Sequence, residues 1–288
     1  MKKSFGKRFW INLAVIVIVA IFSGYFVGNF YVNRYMGGVK ADVLPDEETI
    51  RDNINQVLKK NKGKSVAEVS PTDNYILAEY YMSQKDYVHR HTYGTVKAAG
   101  VNQKLVSHKA IVNGEYFSEE VSQGVVNLAT KYYYVKGSDQ VTLYKGDVDS
   151  DLNTDYSNVT PLTMSLDDFN AQNGVKATYF LNYIVSSNTV LSEKYNGKVG
   201  DRHSFTLTLD TSYSVKNYMY KVKQTSNSSE FPVFQSIELN FEMGDDFTLY
   251  KIDYKEVYKV VIKVLGPVTT TGTLTDEFSY DDNFVIPR

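Results

Sequence analysis

The 288-residue chain predicts an α+β fold that is mainly antiparallel β, with one N-terminal transmembrane helix and two short helices ahead of the sheet. Three observations predict it. A single long uncharged run lies near the N-terminus, two segments with helical spacing follow, and from Tyr87 onward apolar residues recur at every second position. The composition agrees, since 24 Tyr and 15 Phe stand against one Trp, and aromatic side chains suit a pleated, half-buried surface.

The uncharged run lies between Arg8 and Arg34. About 20 apolar residues rising ~1.5 Å each cross a ~30 Å hydrocarbon core, so a membrane helix is expected over residues 9–32. Lys2, Lys3, Lys7 and Arg8 precede it, which places the basic segment 1–8 in the cytoplasm by the positive-inside rule. Trp10 at one end and Tyr25, Phe26, Phe30, Tyr31 and Tyr35 at the other match the two interfacial aromatic belts. A cleaved signal peptide has a shorter apolar core closed by a small-x-small site; this run is longer and ends in aromatic residues, so its retention as an anchor is expected. Gly24 and Gly28 form a GxxxG pair of the kind that lets two helices approach, although small residues are common in membrane helices anyway.

The expected organisation is a cytoplasmic segment 1–8, a membrane helix 9–32, a linker 33–44 and an extracytoplasmic β-rich domain 45–288, in a single-pass protein of the cell membrane. Within the domain, Pro45 to Lys60 places Ile50, Ile54, Val57 and Leu58 on one helical face. Asp46, Glu47 and Glu48 fall in its first turn and Lys59 and Lys60 in its last, as the helix dipole favours. A second helix is expected from Ser70, a cap followed by Pro71 and Asp73, to about Gln84.

Strands are expected at 87–98, 104–112, 114–121, 125–136, 141–145, 205–209 and 274–280. The clearest alternation places Ile237, Leu239, Phe241 and Met243 on one face and Glu238, Asn240 and Glu242 on the other. After a turn at Gly244-Asp245-Asp246, Tyr250, Ile252 and Tyr254 alternate with charged residues, and following a slip Tyr258, Val260, Ile262 and Val264 continue. One dry and one wet face are the mark of an antiparallel sheet covered on one side. Ser165 to about Ser187 is expected as a mixed helical insertion.

The chemistry-bearing motifs narrow the function. The chain has no Cys, which excludes disulfides, thiolate nucleophiles and zinc-cysteine sites. It has no G-x-S-x-G, H-E-x-x-H, P-loop or G-x-G-x-x-G, so neither a catalytic residue nor a cofactor is expected. The net charge is −2, and the four basic residues of segment 1–8 leave −6 to the rest, which argues against nucleic acid as a partner. His89 and His91, two apart on one strand, would share a face, but a third metal ligand is not evident. The run Asp147, Asp149, Asp151, Asn153, Asp155 has the oxygen spacing of a calcium loop, yet Leu152 and Asn158 stand where an EF-hand needs Gly and Glu. A polar surface loop without metal is therefore expected. The adjacent acids Asp167-Asp168 and Asp281-Asp282 are expected on the surface.

The order of two helices followed by a long meander resembles the lipoprotein-carrier fold of lipoprotein-localisation factors and lipid-carrying actinobacterial lipoproteins. The resemblance is strongest in FQSIELNFEMGDDFTLYKIDYKEVYKVVIKVLGPVTTTGTLTDEFSYDD, which looks like that family's closing hairpins and ends in an F-x-Y strand at Phe278 and Tyr280. It is a likeness of pattern, and no functional residue transfers with it. It implies a curved half-barrel, apolar inside, with helices over its mouth and a cavity for acyl chains. The absence of a lipidated Cys and the presence of a membrane helix depart from the family.

Two functional readings follow. In the first, the domain is a non-catalytic binding module of a bacterial envelope, taking a lipid or other hydrophobic ligand on the apolar face formed by Ile237, Leu239, Phe241, Tyr250, Ile252, Tyr254 and Tyr258. In the second, it is a structural or assembly protein of an envelope complex acting through protein partners. A large internal void would favour the first and a filled interior the second.

Overall fold

A computed structural model describes residues 47–287, apart from 125–126, 174–175, 216–217, 220–221, 224–227, 229 and 263–265. The expected segment 1–8, membrane helix 9–32 with its GxxxG pair, and linker 33–44 lie outside the described residues. Among the described residues no helix is long and apolar enough to cross a membrane.

Two helices lead. Helix α1 spans Glu47–Lys60 and α2 spans Pro71–Ser83, the latter opened by Ser70, whose hydroxyl accepts from the Asp73 amide. A short 3₁₀ turn, Val66–Glu68, links them. Helix α2 is apolar on two sides because it is packed on two sides. Tyr75, Ala78 and Met82 join the main core against the sheet, while Ile76 and Leu77 meet Val57, Ile54 and Leu58 of α1. Its N-terminus is tied to the sheet by Glu193, whose carboxylate accepts from the Thr72 amide at 2.9 Å and hydroxyl at 2.5 Å.

Among the described residues twelve antiparallel strands form one open sheet. A first meander contains β1 (Tyr87–Ala98), β2 (Val101–Val112), β3 (Glu115–Gln123), β4 (Leu128–Val135) and β5 (Gln140–Val148), with the short β6 (Thr154–Asp155) and β7 (Leu162–Ser165) pairing to β5. Helix α3, Leu166–Asn173, follows. A second meander contains β8 (Val190–Val199), β9 (Arg202–Leu209), β10 (Val233–Met243), β11 (Leu249–Ile262) and β12 (Gly266–Ser279). The two meanders join through their first and last strands, because β1 pairs with β12 in the middle of the order β6-β5-β4-β3-β2-β1-β12-β11-β10-β9-β8.

Turn chemistry sets the registers. Asn113 and Gly114 take φ of 49° and 81° between β2 and β3, the positive pair that a two-residue type I′ hairpin requires. Ala99 and Gly100, at φ 49° and 81°, do the same between β1 and β2.

The inner face of the second meander is the core. Phe205, Leu207, Ile237, Leu239, Phe241, Met243, Ile252 and Tyr254 are all fully buried, and each apolar side chain of this size contributes roughly 1.5–3 kcal/mol on burial. Its outer face is polar, with Thr206 donating to Asn240 at 2.7 Å and Thr275 donating to Asp253 at 2.7 Å. The expected wet and dry faces are present here.

Three expectations are corrected. Of the mixed helical insertion expected over 165–187, only α3, capped by Ser165, is helical among the described residues, and turns and coil follow it. Strand β8, unexpected from the sequence, is an edge strand. There is no slip in β11 either: the alternation runs unbroken through Glu256, which occupies an inward position and is fully buried. Gly272 stands opposite Glu256 on β12, and a Cβ there would come within 3.0 Å of the Glu256 carboxylate, so this position keeps space for a buried acid.

Candidate functional site

The seven residues expected to line a ligand face are divided by the structure. Ile237, Leu239, Phe241, Ile252, Tyr254 and Tyr258 lie on the inner face and belong to the packed core. Tyr75 of α2 meets Phe241 edge-on at 5.4 Å, Phe205 stacks on Phe241 at 4.9 Å, and Phe234 covers Tyr258 at 4.9 Å. Tyr250 departs from them. Glu242 pairs with Lys251 and Met243 with Leu249, so Tyr250 is the extra residue of a β-bulge. It is partly exposed, with the Arg202 guanidinium 4.7 Å from its ring.

A polar seam, not apparent in the sequence, crosses the inner face where the two meanders meet. Arg90 and Asp276 are fully buried, with Nε 3.2 Å from the carboxylate. Asp276 also accepts from Thr92 at 2.6 Å and from the Tyr254 hydroxyl at 2.5 Å. Arg90 donates from its two terminal nitrogens to the Phe180 carbonyl and, at 3.2 Å, to Asn182 Oδ1. Burial alone would push the Arg90 guanidinium towards losing its proton; Asp276, Tyr254, Glu120 and Tyr75 more than offset this and keep it charged. Next along, Tyr183 donates to Glu256, and burial, then Glu256 itself, pushes the Tyr183 hydroxyl well above its ordinary range, so it remains a donor. The seam thereby fastens the segment 180–183 across the sheet.

Beside the seam lies a cavity of about 30 Å³ on the first meander's side. Leu105, Val106, Val121, Leu128, Leu274 and Tyr218 give it apolar walls, while Thr92, Ser107, Glu120, Ser122 and Asn182 bring polar groups to it. The Ser107 hydroxyl is buried and makes no hydrogen bond. None of the seven expected residues lines this cavity. Its volume holds one or two waters and is about a tenth of the smallest usual ligand pocket.

The other candidates resolve as follows. His89 and His91 do share a face, the outer one, where His108 joins them; no group of metal-ligating side chains placed to hold an ion occurs among the described residues. In the 147–155 loop, Asp149 turns inward on its own backbone, accepting from the amides of Asp151 at 2.8 Å and Asn153 at 2.9 Å. Asp167 and Asp168 lie in the first turn of α3, where Asp168 and Ser165 form a cap. Asp281 and Asp282 are exposed.

No family model matches the chain, and no curated protein matches it. Among solved structures it is similar to the lipoprotein LppX of Mycobacterium tuberculosis, with 12% identity over 84% of this chain and 100% of that chain, at a TM-score of 0.34. It is also similar to a DUF1329 family protein from Desulfovibrio piger, with 10% identity over 74% of this chain and 93% of that chain, at a TM-score of 0.27.

Proposed function

We propose that the chain is a non-catalytic, membrane-anchored extracytoplasmic domain that binds a hydrophobic ligand on the inner face of the first meander. The observation that carries this is the cavity beside the polar seam, because it combines apolar walls with a buried hydroxyl that lacks a partner. Apolar walls favour methylenes by roughly 0.8 kcal/mol each, and Ser107 and Asn182 would orient a polar end. At about 30 Å³ the cavity is not the large void expected of a carrier and is closed to an acyl chain, so this reading requires the Tyr218 and Asn182 walls to draw back on binding.

The test is native mass spectrometry and fluorescent fatty-acid uptake on detergent-free domain 45–288. The expected result is probe binding that Leu105→Trp abolishes at a stability cost below about 1 kcal/mol. Wild-type domain carrying no lipid and taking up no probe would remove the ligand reading. The second reading, an assembly protein of an envelope complex, is favoured by one feature. Strand β8 leaves an edge unpaired among the described residues, with Leu191 at 68% and Val199 at 83% exposure, and such edges recruit strands from other chains. Retention of an envelope partner that Leu191→Lys releases would support it.

A further inference from the structure

The outer face of the first meander is covered by the chain's own C-terminus. Beyond β12, Phe284 packs on Phe117 with 6.0 Å between ring centres, Ile286 is buried with Ala110 and Phe117, and the Tyr133 hydroxyl donates to the Pro287 carbonyl. Beneath this tail lie three imidazoles. His89 stacks on Phe284 at 3.9 Å and 12°, its Nε2 is 3.1 Å from Nδ1 of His108, and His108 stacks on His91 at 4.6 Å and 2°.

This arrangement cannot hold both facing rings charged. One neutral imidazole can donate to the other across the 3.1 Å contact between His89 and His108, but if both are protonated the facing nitrogens are both donors and both rings are cationic. The surrounding charges do not remove the conflict. Glu277 on β12 stands opposite His91, Glu119 on β3 stands opposite His108, and Asp281 of the tail acts on His89. Lys251 and Lys131 lie one strand further out, opposite Glu277 and Glu119, and the Tyr93 ring is 5.2 Å from His91.

We propose that His89 and His108, stacked between Phe284 and His91, form an acid-sensitive latch for the C-terminal tail, which their uncharged pair holds down and protonation of both releases, uncovering the apolar strip of Ala110, Phe117 and Tyr133. The latch is independent of ligand binding in the interior. Burial, then His108 and His91, hold the docked His89 down at about 4, below its ordinary 6.5, and lifting the tail removes the part of that burial that Phe284 supplies. Below 6.5 the released state therefore binds more protons, and docking, complete above that pH, is lost as pH falls towards 4. Burial and His91 act on His108 in the same direction. Partial exposure discounts the shift, and a weakening of docking by roughly tenfold or more is expected.

Because the chain has no Cys, a spin label at Val285→Cys, a position 81% exposed, reports on the tail alone in the full-length protein. The expected result is an immobile label at pH 7.5 and, at pH 5, a ratio of mobile to immobile label at least roughly tenfold higher, with the sheet's circular dichroism unchanged. In a His89→Gln, His108→Gln variant the label should stay immobile at both pH values. A label that stays immobile in the wild type at pH 5, mobilises equally in the double variant, or mobilises only as the sheet signal is lost would overturn the proposal.

Discussion

The two meanders use their faces in opposite ways. The second, β8 to β12, keeps a dry inner face packed on α2 and a wet outer face of Thr, Asn, Asp, Glu and Lys. The first, β1 to β5, carries Arg90, Thr92, Ser107, Ser118, Glu120 and Ser122 inward, and turns His89, Ala110, Phe117 and Tyr133 outward under the C-terminal tail. The inner side of its outer strands is closed instead by α3, through Phe169 against Tyr134 and Val141. The second meander is thus a stability element with its interior filled, whereas the first is a surface covered on both sides by segments lacking strand pairing. A covering segment can be displaced at far lower cost than a core, and the proposed binding site and the proposed latch both fall on the first meander.

The comparison can be broken most severely at the seam. Arg90→Met leaves Asp276 charged and buried, and a loss of about 3–5 kcal/mol in urea unfolding is expected; adding Asp276→Leu should recover much of it. A double variant no more stable than the single one would show that the ion pair is not what joins the halves. The next largest effect separates the two interiors directly. Leu239→Trp overfills a packed core and should cost about 1–3 kcal/mol. Leu105→Trp, beside the cavity, should cost less than about 1 kcal/mol, and equal costs would abolish the distinction between filled and unfilled halves.

A smaller effect concerns Glu79 on α2, whose carboxyl burial raises from 4.5 to about 7. A raised carboxyl favours the protonated fold, so stability is highest below 4.5, declines as pH rises to 7 and is level above. Glu79→Gln should therefore gain about 1 kcal/mol at pH 8 and nothing at pH 4 in thermal unfolding, with no change in the tail's spin-label signal. The smallest expected effect is none. Millimolar calcium should leave the melting temperature unmoved, because Asp149 is already engaged by Asp151 and Asn153; saturation at a hundred times the dissociation constant would add about 2.7 kcal/mol.

What could be read from the sequence follows the same division. In the second meander the period of two is written plainly, and β9 to β11 and their dry face are as expected; Tyr250 was misplaced because a bulge leaves no trace in an alternating pattern. Strand β8 was missed because an edge strand with nearly every residue exposed has no apolar face to alternate. In the sequence Glu256 looks like a slip, because a buried acid inside an apolar row has the appearance of a change of phase. His108 could have been found: the two-residue turn at Ala99 and Gly100 pairs Ala98 with Val101, and counting outward from it brings His91 opposite His108. Arg90 could also have been placed, since it shares the parity of Val88. Its partner Asp276 could not, because only the pairing of β1 with β12, set by tertiary structure, brings them together.

That pairing has a kinetic consequence. Every other major strand contact in the sheet is between neighbours in the sequence, and all but β9 with β10, which residues 210–232 separate, are formed by hairpins that close short loops quickly. The contact of His89 with Ser279 closes a loop of almost the whole domain, and long-range closure is the slow, entropically costly step. The seam should then form last, after both meanders have zipped, with Arg90 and Asp276 meeting only on the native side of the transition state. Weakening them should speed unfolding and leave the folding rate nearly unchanged, so the ion pair would act chiefly on the lifetime of the folded protein.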